Sequence, residues 1–277
     1  MKPYLGYNDM ARPEMTVSVI IPSYNHVAYV TDTIKSVSAQ AGDFFKLQII
    51  VIDDGSQDGS VELLKSLHSS SESKFELVLK QNEGLCKTLN RAVREYATGE
   101  FIAVIASDDM WRSDKLQLQL ECLQNNPSSQ LCFSNAKTFG VDVTSGKASR
   151  FLFSGNVQRA LTIYNFIPAG TIVFSRKLYD AIGGFDETGL RLEDWDFLMR
   201  ASFSTPFCYV DEELLLYRLH DESAIAKMRQ RGILFSEKYK VLTKNRKLLN
   251  PILFYVSCGL HYMFDVVLRP LVSKLKI

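Results

Sequence analysis

No glycine-rich nucleotide loop occurs in this chain: neither GxGxxG nor a Walker sequence is present in its 277 residues. The first apolar run instead ends in Pro22-Ser23-Tyr24-Asn25-His26. That excludes dinucleotide-binding dehydrogenases and P-loop kinases, and it speaks against nucleotidylyltransferases, which need a phosphate-cradling loop after their first strand. Cysteine is scarce. Its five copies, Cys86, Cys122, Cys132, Cys208 and Cys258, are odd in number, widely spaced and without a CxxC pair. Buried free thiols in a reducing compartment are therefore expected, rather than a disulfide scaffold. Residues 1–15 lack an apolar core of signal-peptide length, so they read as a flexible leader and the chain as cytoplasmic. The net charge is only +1 and no nucleic-acid-reading module is recognisable, which leaves no nucleic-acid partner expected.

What the chain does have is rhythm. Apolar runs at 17–22, 48–52, 75–79 and 101–105 alternate with segments whose apolar residues recur every three or four positions: Val30, Ile34, Val37; Val61, Leu64, Leu67; Leu89, Ala92, Val93, Tyr96. This is the pattern of successive βαβ units, an α/β fold with a Rossmann-like, mostly parallel sheet flanked by helices. A further helix opens near Ser113 and ends at Asn125-Asn126-Pro127, after which the pattern becomes mixed.

Three acidic clusters stand out against this frame. Asp53-Asp54 and Ser107-Asp108-Asp109 each close an apolar strand, so they should emerge at the carboxyl edge of the sheet, where open α/β folds bind ligands. A carboxylate at the first position can accept the imide N–H of uracil or thymine, although Asp, Gly and Ser are also what turns use. The second cluster suits Mg²⁺ or Mn²⁺, which take one or two carboxylates together with substrate phosphates; an acidic helix cap is the alternative. Glu193-Asp194 opens a helical pattern in which Trp195, Leu198 and Met199 face a core. An acidic first turn is favoured by the helix dipole, and a desolvated carboxylate there can also serve as a general base. Tyr217-Arg218-Leu219-His220 follows another strand, where a neutral imidazole at His220 can be a third metal ligand or a structural residue, and Arg218 can meet a phosphate.

The segments VSVIIPSYNH, IIVIDDGSQDGS, QNEGLCKTLNRAVREYATGEFIAVIASDDMW, PAGTIVFSRKLYDAIGGFDE, LEDWDFLMRA and YRLHDESA resemble, in order, the motifs of glycosyltransferase family 2. The resemblance covers about 16–224 and implies a GT-A catalytic domain at 16–225 that transfers sugar with inversion from a nucleoside-diphosphate sugar, UDP or dTDP favoured, to a saccharide or lipid-linked acceptor. It implies Pro22, Ser23, Tyr24, Asn25, Asp53, Asp54, Asn82, Gly84, Lys87, Ser107, Asp108 and Arg218 around the donor. Asp108, Asp109 and His220 would hold Mn²⁺ or Mg²⁺. Asp194 is implied as catalytic base with Glu193 beside it, and Trp195, Gly170 and Thr171 as the acceptor side. One position departs from the family: Ala106 stands where the motif usually begins with Asp. Weaker metal binding, or a sugar-nucleotide-binding homologue without turnover, is what that departure implies.

Residues 226–277 need their own explanation. From Ala224 onward, 11 Lys/Arg face only Glu237 and Asp265, about +9, which leaves about −8 for the rest. Residues 251–268 are apolar apart from Ser257, His261 and Asp265. A helical tail attached to an anionic membrane surface is one expectation, and packing on the catalytic domain or in a homo-oligomer is the other.

Overall fold

The computed structural model describes residues 15–70, 74–140, 146–147, 153–220, 228 and 230–268. The leader up to residue 14, part of the Ser-rich loop at 69–73, part of the variable stretch at 139–166 and the residues just after His220 lie outside the described residues.

The amino-terminal half follows the apolar rhythm. β1 (Met15–Ser23), β2 (Phe45–Asp53), β3 (Glu76–Leu79) and β4 (Phe101–Val104) pair in parallel in the order β3-β2-β1-β4. Helices α1 (Val30–Ser38), α2 (Ser60–Ser69) and α3 (Leu85–Arg91) make the crossovers. Along β1, Val17, Val19 and Ile21 enter one core and Ile20 the other, the period-two alternation of a strand covered on both faces. Gly99 lets β1 and β4 approach: a Cβ there would lie 2.7 Å from Ser18 N and Thr16 O. The helix expected through Tyr96 widens into a π turn at Ala92–Tyr96, where the Ala97 N–H donates to Ala92 O at 2.9 Å.

The second half is mixed. After β5 (Met110–Trp111), α4 (Lys115–Asn125), β6 (Leu131–Phe139), β7 (Gly146–Lys147), α5 (Gln158–Ile163), β8 (Val173–Ser175), α6 (Arg176–Ile182) and α7 (Glu193–Ser202) comes the long β9 (Phe207–Arg218). The sheet continues β4-β8-β6-β9-β5, with β8 antiparallel to both neighbours, β6 parallel to β9 and β5 antiparallel to β9. This is the mostly parallel GT-A arrangement expected above.

Two tail helices pack against this layer. α8 (Leu234–Lys244) buries Leu234, Val241 and Leu242 in the same core as Phe197 and Leu198 of α7. α9 (Pro251–Tyr262) is opened by Asn250, whose Oδ1 accepts from Ile252 N and Leu253 N, with Pro251 at the first turn where its missing N–H costs nothing. It continues as a π turn at Met263–Leu268. Phe254, Ser257 and His261 face inward, whereas Ile252 and Phe264 are 73% and 61% exposed.

Candidate functional site

The ends of β1 and β2 are stitched into one rim. Asn25, in the left-handed region at φ 56, accepts from Gln57 N at 2.8 Å and donates its own N–H to Ser56 Oγ at 2.8 Å. Val27 N reaches Asp58 Oδ2 at 2.9 Å. Asp53 is buried and accepts from Ser56 N and Ser56 Oγ at 2.8 and 2.7 Å. Asp54 accepts from Glu83 N and Gly84 N, both at 2.9 Å, and pairs with Lys80. Both aspartates thus organise loops: Asp53 its own turn, and Asp54 the segment carrying Asn82 and Gly84 into α3. Tyr24, Asn82 and Lys87 are exposed on this rim, Tyr24 as an open aromatic face. Pro22 lines the cavity described below, and the buried Ser23 Oγ has no partner among the described residues.

Beyond β4 the chain turns through Ala106-Ser107-Asp108-Asp109 into β5. Antiparallel pairing of β5 with β9, Met110 opposite Leu216, carries Arg218 and His220 alongside the two aspartates. Asp108 Oδ2 lies 2.9 Å from His220 Nε2 and 3.9 Å from His26 Nε2, and His26 Nδ1 contacts Ser107 Oγ at 2.8 Å. Arg218 clamps the turn: its Nε donates to Asp108 O and its N–H to Asp109 Oδ1, each at 2.8 Å, while the guanidinium lies between the rings of Tyr29 and Phe139. Asp109 is 3% exposed and its carboxyl is pushed well above the ordinary range by burial, then by Asp108.

A divalent ion fits here only in part. The 2.9 Å between Asp108 Oδ2 and His220 Nε2 is close to the ~3.0 Å that neighbouring ligands take around an ion bound at about 2.1 Å. The buried His220 Nδ1 has no partner among the described residues, which is compatible with its carrying the proton that metal ligation at Nε2 requires. Asp109 does not join them, because its oxygens serve Arg218 N and face Gly170. His26 Nε2 is 3.9 Å from Asp108 Oδ2, but among the described residues no third His, Asp or Glu comes within 4.8 Å of both members of the pair. Asp108 and His220 therefore offer two ligands, leaving the remaining positions to diphosphate and water.

Glu193 and Asp194, in the first turn of α7, line a cavity of about 350 Å³ whose lining also includes Pro22, Val104 and Ala106 at the sheet's carboxyl edge. Asp194 Oδ2 accepts from Asn165 Nδ2 at 3.0 Å. Burial raises the Asp194 carboxyl, and the Asn165 and Trp195 donors moderate the rise. Glu193 is pushed up to about 8 by burial and then by the charge of Asp194, so both carboxyls of this turn hold protons more tightly than free ones do.

The three residues expected on the acceptor side separate. Gly170 lines the cavity, and its carbonyl receives the Trp111 indole N–H at 2.9 Å. Thr171 is fully buried with its hydroxyl donating to Pro168 O, so it supports this wall from behind. Trp195 is a correction: it is 2% exposed, donates to Leu161 O at 2.8 Å and meets the edge of His261, so it belongs to the core between α7, α5 and α9. Its helical spacing with Leu198 and Met199 carried that signal. The sequence reading missed His26, Lys80 and Asn165. His26 follows Asn25 directly and was open to notice, whereas Asn165 had no signal.

Comparison with known proteins followed the same lines. The model of the family described as Glycosyl transferase family 2 matches residues 18–183. An uncharacterised glycosyltransferase of Nostoc sp. is 26% identical over 219 residues, 74% of this chain and 65% of its own length. TuaG of Bacillus subtilis, named for teichuronic acid biosynthesis, is 39% identical over 105 residues, 38% of this chain and 40% of its own length. The chain thus spans less than two thirds of each of these relatives. Among solved structures, S. aureus TarS 1–349 in complex with UDP-GlcNAc matches 95% of this chain and 76% of its own at TM-score 0.67 and 18% identity. The mannosyltransferase PcManGT from Pyrobaculum calidifontis, in complex with GDP-Man and Mn²⁺, matches 99% and 77% at TM-score 0.67 and 17% identity. At these identities the two structures speak for the fold.

Proposed function

Since the chain belongs to glycosyltransferase family 2, we propose that it moves a sugar from a nucleoside-diphosphate sugar to an acceptor hydroxyl with inversion at the anomeric carbon. The observation that carries this reading is the cavity itself, lined jointly by the Glu193-Asp194 turn and by Pro22, Val104 and Ala106 at the carboxyl edge of β1 and β4. Asp194 takes the proton of the attacking hydroxyl, and its raised basicity suits that role. Asn165 holds its carboxylate in place, and Glu193, raised to about 8, sits beside it. On the donor side Tyr24 offers a stacking face for the base, and the Asp54-organised loop presents Asn82 and Lys87. A divalent ion held by Asp108 and His220 would offset the charge of the departing diphosphate. A uridine nucleotide is favoured by the likeness to a UDP-GlcNAc-bound protein, and a surface polysaccharide or lipid-linked acceptor by the likeness to TuaG.

The exposed apolar side of α9 and the basic tail support attachment to the inner face of a membrane, next to such an acceptor.

The test is a thermal-shift and turnover panel with UDP-, dTDP- and GDP-sugars, each with Mn²⁺, Mg²⁺ or chelator. One donor should raise the melting temperature with metal and release its diphosphate. Asp108→Ala should weaken that metal-dependent shift about tenfold or more; equal, chelator-insensitive binding in both proteins contradicts the metal assignment. Ala106, on the cavity wall, favours a second reading, a donor-binding homologue without turnover. Donor binding with no diphosphate release under any acceptor would select it.

A further inference from the structure

Cys122, Cys132 and Cys208 are far apart in sequence but converge in the fold. Cys122 comes from the last turns of α4, while Cys132 and Cys208 are directly opposite each other near the amino ends of the parallel strands β6 and β9. Their sulfurs all lie within 4.8 Å of one another. A tetrahedral thiophilic ion with bonds of about 2.3 Å needs sulfur separations of roughly 3.8 Å, so closure requires shifts of about 1 Å at most between sulfurs.

The surroundings suit thiolates. The thiols hydrogen-bond one another, and each makes a long contact with a backbone carbonyl: Cys122 with Tyr209 O at 3.8 Å, Cys132 with Phe133 O at 3.7 Å and Cys208 with Leu131 O at 3.7 Å. Thiols are weak donors, so little is lost when these contacts are given up. Gln119 Nε2 points at Cys132 Sγ at 3.8 Å and Asn126 Nδ2 at Cys122 Sγ at 3.9 Å, donors of the kind that stabilise a metal-bound sulfur.

A second, independent observation concerns charge. Lys115 is fully buried, with its Nζ 2.6 Å from Gln119 Oε1 and 4.0 Å from the centroid of the Trp111 ring; no carboxylate pairs with it among the described residues. A buried ammonium without a counter-charge is costly. Gln119 joins it to the thiol cluster. Three thiolates and one divalent cation sum to −1, and Lys115 brings that to zero.

We infer that Cys122, Cys132 and Cys208 form a binding site for a thiophilic divalent cation of the Zn²⁺ class, with water as fourth ligand and Lys115 as counter-charge. Each metal–sulfur bond replaces an S–H bond whose proton leaves to solvent, and no electron is transferred. Cys122, the partly exposed member, gives the entry. The site is remote from the donor site: Cys208 and Arg218 occupy opposite ends of β9, roughly 30 Å apart along a strand of this length. It neither depends on nor affects the reading of the catalytic cavity.

The experiment uses the full chain, reduced with a phosphine and titrated with Co²⁺. One Co²⁺ per chain should bind with an intense sulfur-to-cobalt charge-transfer band and tetrahedral d–d absorption, both abolished by Zn²⁺. Oxygen and nitrogen ligation at Asp108 and His220 gives no such band, so Asp108→Ala should leave it intact, as should Cys86→Ser and Cys258→Ser. Cys122→Ser should weaken Co²⁺ binding at least tenfold, and Lys115→Met should weaken it several-fold while the band persists. Absence of the band in the wild-type folded chain overturns the proposal without requiring any core variant to fold. So does a band that survives unchanged in Cys122→Ser.

Discussion

Glu193 and Asp194 share one helical turn, and their environments set them apart. Asp194 has the Asn165 amide to hold its carboxylate, whereas Glu193 feels burial and the Asp194 charge together and is raised to about 8. Asp194→Asn should therefore do two things. Turnover should drop by about 10² or more with donor affinity kept within a few-fold, and Glu193 should titrate at lower pH once the neighbouring charge is gone. Steady-state rates and carboxyl NMR read the two effects separately; unchanged turnover removes Asp194 from the base role. Lys115 makes a second prediction at this scale. Burial lowers its folded-state value from 10.5 to about 7. Between those values the unfolded chain holds a proton that the folded one lacks, so in metal-free protein stability rises with pH across that window, and below about pH 7 the penalty is constant. Lys115→Met should raise stability at neutral pH and flatten that slope in chemical denaturation; a loss of stability would show that the Gln119 and Trp111 contacts outweigh the burial of charge. Only part of this was legible in the sequence. Asp194 stood in a recognisable motif, but its partner Asn165 is 29 positions away in a loop without periodicity.

Elements decide where such residues meet. β1 to β4 could be read directly, because strands buried on both faces leave unbroken apolar runs and their crossover helices carry one apolar stripe each. β5 and β8 could not. At two and three residues they are too short to show alternation, and they exist because β9 and β4 supply partners. Yet the β5–β9 pairing is what sets Asp108 beside His220, so the two motifs were visible and their contact was not. α7 was likewise read by its acidic first turn, while the fully buried Asp196 went unnoticed as its anchor. Asp196 Oδ1 receives Lys244 Nζ at 2.7 Å and Asn245 Nδ2 at 2.8 Å, and Oδ2 receives Arg200 Nε at 2.9 Å, which ties α7 to α8. Removing that carboxylate leaves Arg200 without its acidic partner and the Asn245 amide with Val241 O alone, while Lys244 keeps Asp186 at 2.8 Å. Asp196→Ala should cost about 3 to 5 kcal/mol, measured by urea unfolding. A cost below about 1 kcal/mol would mean that α8 is held by Val241 and Leu242 packing alone.

The whole molecule is polarised: about −8 of charge lies before residue 224 and about +9 after it, and the basic part carries the widest exposed apolar face. On α9 and its continuation, Ile252, Val256, Leu260, Met263 and Phe264 are each more than 40% exposed, and the 18-residue span Pro251–Leu268 has a mean hydropathy of 1.5 with only 17% of it buried. That span is long and apolar enough to cross a bilayer, but Phe254, Ser257 and His261 are packed inside, and Lys238 reaches from α8 to Asp265 at 2.7 Å. Crossing would break these contacts, whereas lying in the headgroup plane keeps them and immerses only the open face. Lys240, Arg246 and Lys247 would then meet anionic lipid. The wild-type chain should co-sediment with anionic vesicles and progressively less so as salt is raised. Ile252→Asp, Val256→Asp and Phe264→Asp together should reduce that binding by an order of magnitude or more, with melting temperature and donor hydrolysis unchanged. If the wild type stays in the supernatant, and the triple variant converts a dimer to a monomer, the apolar face is a subunit contact and the membrane reading fails.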